Sequence, residues 1–197
     1  DYCVQLKKGE PRKIEGWIQL DGEKAEQDVT IEIPELKAKV TVHTDAEGYA
    51  RFELKAKPEY WCPDNPKLYD VAIVSETDRV HDRIGFRTVE TEGTKILLNG
   101  EPVFCKGVDI HAEMPFSISG RAYSEEHARV LLGWAKEMGC NFVRLAHYPH
   151  NEHMVRVAEE MGLMVWSEIP VYWTIQFDNP ETYANAEAQL ADMITRD

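Results

Sequence analysis

Residues Ala135–Pro149 read Ala-Lys-Glu-Met-Gly-Cys-Asn-Phe-Val-Arg-Leu-Ala-His-Tyr-Pro. The first third is a helix end, with Gly139 as the residue that stops it. The rest is a short strand. Phe142, Val143 and Leu145 are strand formers, and Arg144 sits among them, where an unpaired charge is costly. His147 and Tyr148 follow, and Pro149 stops the strand. On an extended strand Arg144 and His147 face opposite sides, because side chains alternate. A turn after Ala146 lets both address one pocket, and Pro149 and Asn151 signal such a turn. A core arginine paired with a carboxylate, beside a surface histidine, accounts for the same residues equally well.

The pattern repeats outward from this stretch. Ala135-Lys-Glu-Met-Gly139 and Ala158-Glu-Glu-Met-Gly162 each end a helix just before a strand, as successive βα units do. Strands are expected over Val103–Val108, Asn141–Ala146 and Leu163–Trp166. A long loop, Asp109–Tyr123, follows the first. A helix from Glu125 to Met138 has Ser124 as N-cap, with Glu125 and Glu126 at its positive end. Its buried stripe is Ala128, Leu131, Leu132, Ala135 and Met138. A second helix starts near Asn151, buries Met154, Val157, Ala158 and Met161, and ends at Gly162. A third starts at Asn179-Pro180, with Tyr183, Ala186, Leu190 and Met193 or Ile194 inward. The apolar run Leu163-Met-Val-Trp166 suits a parallel strand buried on both faces. Three βα units cannot close a barrel of eight, so a part of a larger enzyme is expected.

Upstream, residues 1–92 read as all-β. Lys13–Leu20 places Ile14, Gly16, Ile18 and Leu20 on one face. Val29–Ile33, Lys39–Thr44 and Tyr49–Lys55 alternate in the same way, and Leu68–Ser75 and Arg83–Val89 complete the set. Asp45-Ala-Glu-Gly48 reads as a hairpin turn. Short strands punctuated by turns predict an immunoglobulin-like β-sandwich. Glu59–Tyr69 carries two prolines and the aromatics Tyr60 and Trp61. Trp61 is expected on the sandwich edge, with a sugar-stacking platform as the alternative. Residues 93–101 form a junction, where Asn99-Gly100 predicts a small hairpin of Lys95–Leu98 against Pro102–Phe104. The expected domains are therefore a sandwich over 1–92 and the start of a (β/α)8 barrel over 93–197.

The totals exclude several classes. A net charge of −13 argues against a nucleic-acid surface. No apolar run approaches the roughly 20 residues of a membrane span, and no signal peptide is visible. The chain starts at Asp1 without a methionine, which suggests an excised piece and leaves the compartment open. Cys3, Cys62, Cys105 and Cys140 form no C-x-x-C pair, and Cys105 and Cys140 are expected to be inert buried thiols.

In parallel α/β folds, ligands bind beyond the carboxyl ends of the strands. Those positions hold Asp109, His111 and Glu113; then Arg144, His147 and Tyr148; then Ser167 and Glu168. The opposite ends hold turn residues only, and that asymmetry points to a site. Glu113 and Glu168 could form a retaining glycosidase pair, which needs carboxyls about 5–5.5 Å apart. The competing reading, in which Glu168 anchors Arg144 across neighbouring strands, is favoured. His147, His150 and His153 have a metal-like spacing, but Pro149 and the cap at Asn151 interrupt any shared helix.

Several stretches together resemble glycoside hydrolase family 2, the β-galactosidase and β-glucuronidase group. They are Trp61-Cys-Pro-Asp-Asn-Pro-Lys-Leu-Tyr69, Ile84-Gly-Phe-Arg-Thr-Val-Glu90, Leu98–His111, Asn141–Pro149 and Trp166-Ser-Glu-Ile-Pro170. The resemblance implies an immunoglobulin-like domain followed by a (β/α)8 barrel acting on terminal β-linked sugars through a covalent glycosyl-enzyme. It puts both catalytic glutamates on the fourth and seventh barrel strands, so no catalytic residue is expected in this chain, which would be inactive alone. It implies glycone contacts for His111 and His147, and a role for Arg144 in supporting the catalytic carboxylates. Asp109 stands where an asparagine is common. The magnesium-binding acid and histidine of some β-galactosidases have no match after Glu168, where Ile-Pro-Val-Tyr follows, so no metal or other cofactor is expected. A β-galactosidase-like activity is the leading expectation. A β-glucuronidase and a non-catalytic carbohydrate-binding or scaffold module are the alternatives. The expected partners are a β-linked glycoside and, through the open edge of the sheet, a second copy of the chain; nucleic acid and membrane are not expected.

Overall fold

The computed structural model describes residues 1–114, 116–118 and 120–197. The chain divides into two compact units, residues 1–103 and 104–197.

The sandwich of the first unit has seven strands in two antiparallel sheets: β1 (Tyr2–Leu6), β2 (Lys13–Gln19), β3 (Asp28–Ile33), β4 (Ala38–His43), β5 (Tyr49–Lys55), β6 (Tyr69–Val74) and β7 (Arg79–Ile84). The sheet orders are β1-β2-β5 and β4-β3-β6-β7. Alternation decides what lies between them. Ile14 and Ile18 of β2, Val29, Ile31 and Ile33 of β3, Phe52 and Leu54 of β5, and Val71 of β6 all join one buried cluster. The turn at Asp45–Gly48 is closed by Gly48 N–H to Asp45 O at 2.9 Å and Asp45 N–H to Tyr49 O at 3.0 Å. It is not a hairpin within one sheet: β4 and β5 lie in different sheets, so it is the corner where the chain crosses over. Arg83–Val89 is likewise not one strand. Pairing ends at Ile84 because Gly85 packs against Trp61, where an added Cβ would lie 2.7 Å from the indole Cδ1. Trp61 is only 1% exposed, with the Arg87 guanidinium 4.7 Å above its ring, so it offers no sugar platform; it packs against Gly85, outside the main core cluster of the sandwich.

A small antiparallel sheet follows, ordered β10-β9-β8: β8 (Val89–Glu92), β9 (Lys95–Leu98) and β10 (Glu101–Pro102). Asn99 and Gly100 both have positive φ, 55° and 85°, as a two-residue primed turn requires. The Asn99 side chain accepts from Thr88 N–H and donates to Trp61 O, so this hairpin belongs with the first unit.

The second unit runs β11 (Gly107–Ile110), α1 (Glu125–Glu137), β12 (Phe142–Leu145), α2 (Glu152–Glu160), β13 (Met164–Ser167) and α3 (Pro180–Arg196). Its three strands are parallel and in sequence order. Ser124 caps α1, Asn151 caps α2 and Asn179 caps α3, each accepting a first-turn N–H. Ile110, Val143 and Leu145 pack with Ala128, Leu132 and Ala135 of α1 and Met154, Val157 and Ala158 of α2. The first strand starts at Gly107 rather than Val103, because the Asn141 amide takes the backbone there: it accepts from Lys106 N–H and donates to Phe104 O. Three expected burials fail. Met138, expected on the buried stripe of α1, is 63% exposed at the end of that helix. Trp166 is 58% exposed, since only one face of β13 lies under the helices. On α3 only Met193 is buried, and Tyr183, Leu190 and Ile194 are exposed. Cys105 and Cys140 are half-buried rather than sealed.

Candidate active site

The register lines up the polar residues. Asp109 of β11 stands opposite Arg144 of β12, which stands opposite Trp166 of β13. One face of these strands meets the helices. The other carries Gly107, Asp109, Phe142, Arg144 and Trp166, with Glu168 just past β13, and these residues line an open cleft of about 560 Å³ with Cys105 and Val108.

Arg144 is the hub. Its Nε donates to Glu168 Oε1 at 2.7 Å and its Nη2 to Oε2 at 3.2 Å, a two-point grip on one carboxylate. Its Nη1 donates to Asp109 Oδ2 at 3.2 Å. The guanidinium holds the Glu168 carboxyl below its ordinary range, with His147 adding to the effect, and Glu168 in turn raises Arg144.

The chain turns after Ala146, where the peptide to His147 is cis, and the His147 ring comes back to the Arg144 side. Its Nδ1 lies 3.2 Å from Glu168 Oε2 and 3.3 Å from Arg144 Nη2. The carboxylate only accepts and the guanidinium only donates, so Nδ1 cannot serve both. Glu168 is already ionised by Arg144, and an Nδ1–H donating to it leaves Nε2 as a lone-pair acceptor for a hydroxyl hydrogen. The His111 ring meets His147 edge-on at 5.2 Å, and the Tyr172 ring lies 5.6 Å from it.

Asp109, His111, Arg144, His147 and Glu168 therefore come together from three strand ends. Glu113 does not join them: its backbone pairs with that of Arg121 in the loop after β11, and the residue is exposed. Ser167 faces the other way and donates to Asp197. His150 is buried and bonded to Ala146 O, while His153 sits in the first turn of α2. Among the described residues no group of three or more His, Cys, Asp or Glu is arranged to hold a metal ion. Two cleft features escaped the sequence reading. Trp166 was hidden in an apolar run, although its parity with Arg144 across the register gives its face. Tyr172 lies in an irregular loop, where no periodicity could mark it.

The arrangement is a polar wall with fixed donors and acceptors over an aromatic floor, suited to a polyhydroxyl ligand. Two family models match the chain: "Glycosyl hydrolases family 2" over residues 4–87 and "Glycosyl hydrolases family 2, TIM barrel domain" over residues 89–193. The chain belongs to glycosyl hydrolases family 2. Its similar family 2 proteins include a β-galactosidase of Thermoanaerobacterium thermosulfurigenes, 32% identical over 70% of this chain and 19% of its own length. Another is a β-glucuronidase of Streptococcus agalactiae, 34% identical over 50% of this chain and 16% of its own length. A solved structure of a family 2 β-galacturonidase from Eisenbergiella tayi bound to galacturonate is 27% identical. It matches with a TM-score of 0.80 over 98% of this chain and 36% of that one. The chain thus spans about a fifth or less of these curated relatives and about a third of that solved structure. The first unit is the family's immunoglobulin-like domain and the second the start of its barrel.

Proposed function

We propose that this chain forms one wall of the sugar pocket of a retaining exo-β-glycosidase of family 2, and that it is inactive alone. The observation that carries the reading is the convergence of Asp109, His111, Arg144, His147 and Glu168 from the carboxyl ends of β11–β13. That is where a parallel barrel presents its catalytic groups. His147 and His111 bind glycone hydroxyls, Arg144 holds the acids in register, and Trp166 and Phe142 form the floor. The Arg144–Glu168 ion pair makes Glu168 an orienting group rather than a nucleophile. The catalytic carboxylates are supplied by the family's fourth and seventh strands, while three barrel strands are present here.

The glycone at this wall is a neutral sugar, as in a β-galactosidase. Arg144 is the cation of the wall, and Glu168 and Asp109 already engage it, so it does not serve a uronate carboxylate. The second reading, a uronide substrate, draws on the relatives named for glucuronides and galacturonides.

The 197-residue chain should turn over neither aryl β-galactosides nor aryl β-glucuronides; robust turnover would move Glu113 or Glu168 into the catalytic role. In the enzyme that contains this chain, galactoside should be preferred to glucuronide, and the reverse preference sinks the neutral-sugar reading. There His147→Ala should lower kcat/KM by on the order of 10²-fold. An unchanged value would mean that the pocket lies elsewhere.

A further inference from the structure

His150 is the most deeply buried histidine in the second unit, 3% exposed, and the mechanism above gives it no task. Its Nε2 lies 2.9 Å from the Ala146 carbonyl oxygen. A carbonyl only accepts, so Nε2 carries the proton and donates. Nδ1 is then the bare nitrogen, and among the described residues it has no hydrogen-bond partner. The bond spans four residues and closes the turn Ala146–His150. The Ala146 carbonyl belongs to the peptide that leads directly into His147. On its flat side His150 stacks on Tyr148, with ring centroids 5.3 Å apart and an interplanar angle of 26°. Arg121, from the loop after β11, lies 5.9 Å above that same Tyr148 ring. The turn that presents His147 is thus held from behind by a stack reaching into the neighbouring loop.

We propose that His150 is a positioning residue: its neutral imidazole grips the Ala146 carbonyl and so fixes the direction in which His147 meets the sugar. The proposal rests on the reading of His147 as a glycone contact. A neutral ring is required. A proton on Nδ1 would add a buried charge with no acceptor beside it, and burial already pushes this histidine below its ordinary value. The other charged and titratable groups that act on it are His111 and Arg196, which disfavour the cation, and Asp197, which favours it.

The test uses two variants. His150→Phe keeps a planar ring for Tyr148 but cannot donate, whereas His150→Gln restores an amide donor. In the enzyme containing this chain, His150→Phe should lower kcat/KM at least about tenfold, with the loss mainly in kcat, as displaced catalytic geometry does. His150→Gln should recover most of that loss. Equal kinetics for His150→Phe and the native enzyme overturn the proposal, as does a loss in His150→Gln as large as in His150→Phe. His147→Ala in parallel separates the two ideas: if it too is silent, the site reading has failed rather than the positioning one. Should His150→Phe not fold, the native 197-residue chain decides. Two-bond nitrogen–proton NMR of its histidines should find His150 as the Nε2–H tautomer, and an Nδ1–H tautomer removes the bond on which the proposal stands.

Discussion

The two units obey the same alternation rule and put it to opposite uses. In the sandwich, both sheets turn their apolar faces toward each other, and Ile14, Ile18, Ile31 and Ile33 are almost wholly shielded. The outer faces carry solvated charge: Lys7, Lys13, Glu10 and Glu53 form a ladder of ion pairs in water. In the second unit, Val143 and Leu145 of β12 go under α1 and α2, while Phe142 and Arg144 face the cleft. There Arg144 and Asp109 are as open to water as the ladder, but the charged groups converge on one guanidinium. A charge on an outer face is inexpensive wherever it falls. Arg144 is placed so that two acids and a histidine must be placed with it, and such mutual constraint marks a site rather than a surface.

Two tryptophans give the largest separation. Trp61 is sealed between Gly85 and Arg87, and Trp61→Ala should destabilise the first unit by ~3–5 kcal/mol, the usual range for a buried large aromatic. Trp166 is more than half exposed on the cleft floor, so Trp166→Ala should leave the thermal transition of the second unit nearly in place. Calorimetry of both variants checks the contrast, and equal losses would erase the distinction between filled core and open face. Exposed apolar side chains of the second unit predict association. Phe104 is 80% exposed beside the cleft, and Tyr183 and Ile194 are exposed on α3, so the chain should self-associate in sedimentation runs. A monodisperse monomer would contradict this, and Trp166→Ser should reduce the association.

The next effect is non-additivity at the site. Arg144→Met leaves Glu168 with His147 alone, and Glu168→Gln removes the carboxylate that Arg144 grips at two points and leaves it Asp109. The double variant removes both halves together. It should therefore be more stable than the sum of the single losses predicts, with the coupling read from urea midpoints. Strict additivity would mean that the two-point grip is not formed in solution.

Much of this was legible in the sequence because it rests on local chemistry. The caps at Ser124, Asn151 and Asn179 and the turn at Asn99-Gly100 follow from side chains that bond their own backbone neighbours. The inward residues of β2, β3 and β5 follow from period-two alternation. The meeting of Arg144 with Glu168 was favoured in advance, because neighbouring parallel strands place those ends side by side. What could not be read depends on long-range register or on the absence of a covering layer. Asp45–Gly48 has hairpin chemistry but bridges two sheets. Trp166 and the stripe on α3 have core-like residues but are exposed. The sealing of Trp61 could not be read either, because its partners, Gly85 and Arg87, lie more than twenty residues away in sequence.

A smaller effect appears with pH, and the units should move in opposite directions. His43 in the sandwich is raised above its ordinary 6.5 by Asp28, with Glu26 assisting. The folded form binds its proton more tightly than the unfolded one. That contribution is complete below 6.5 and fades as pH rises through the folded value. His150 in the second unit is lowered by burial. Below 6.5 the unfolded chain takes up this proton first, so stability falls as pH drops. Glu168 adds a loss only at lower pH: its stabilisation is intact above its ordinary 4.5 and disappears as pH falls through the lowered value. Unfolding of the two units followed between pH 7 and 5 should therefore show the second weakening while the first holds or gains slightly. His150→Gln should flatten the response of the second unit in this window, and parallel curves would rule out His150 as its source.

The smallest expected effect lies on the sandwich's outer face. Lys7 sits between Glu10 and Glu53, and Lys13 contacts the same two acids, so the pairing looks generous on inspection. These side chains remain well solvated, however. Water screens each pair, and holding long side chains in one geometry offsets most of the attraction. Lys7→Met should therefore leave the thermal midpoint of the first unit within measurement scatter, and raising the salt concentration should change little more. A clear drop in midpoint would show that the ladder acts as a cooperative network. The contrast between solvated charge in the sandwich and mutually constrained charge around Arg144 would then be one of degree rather than of kind.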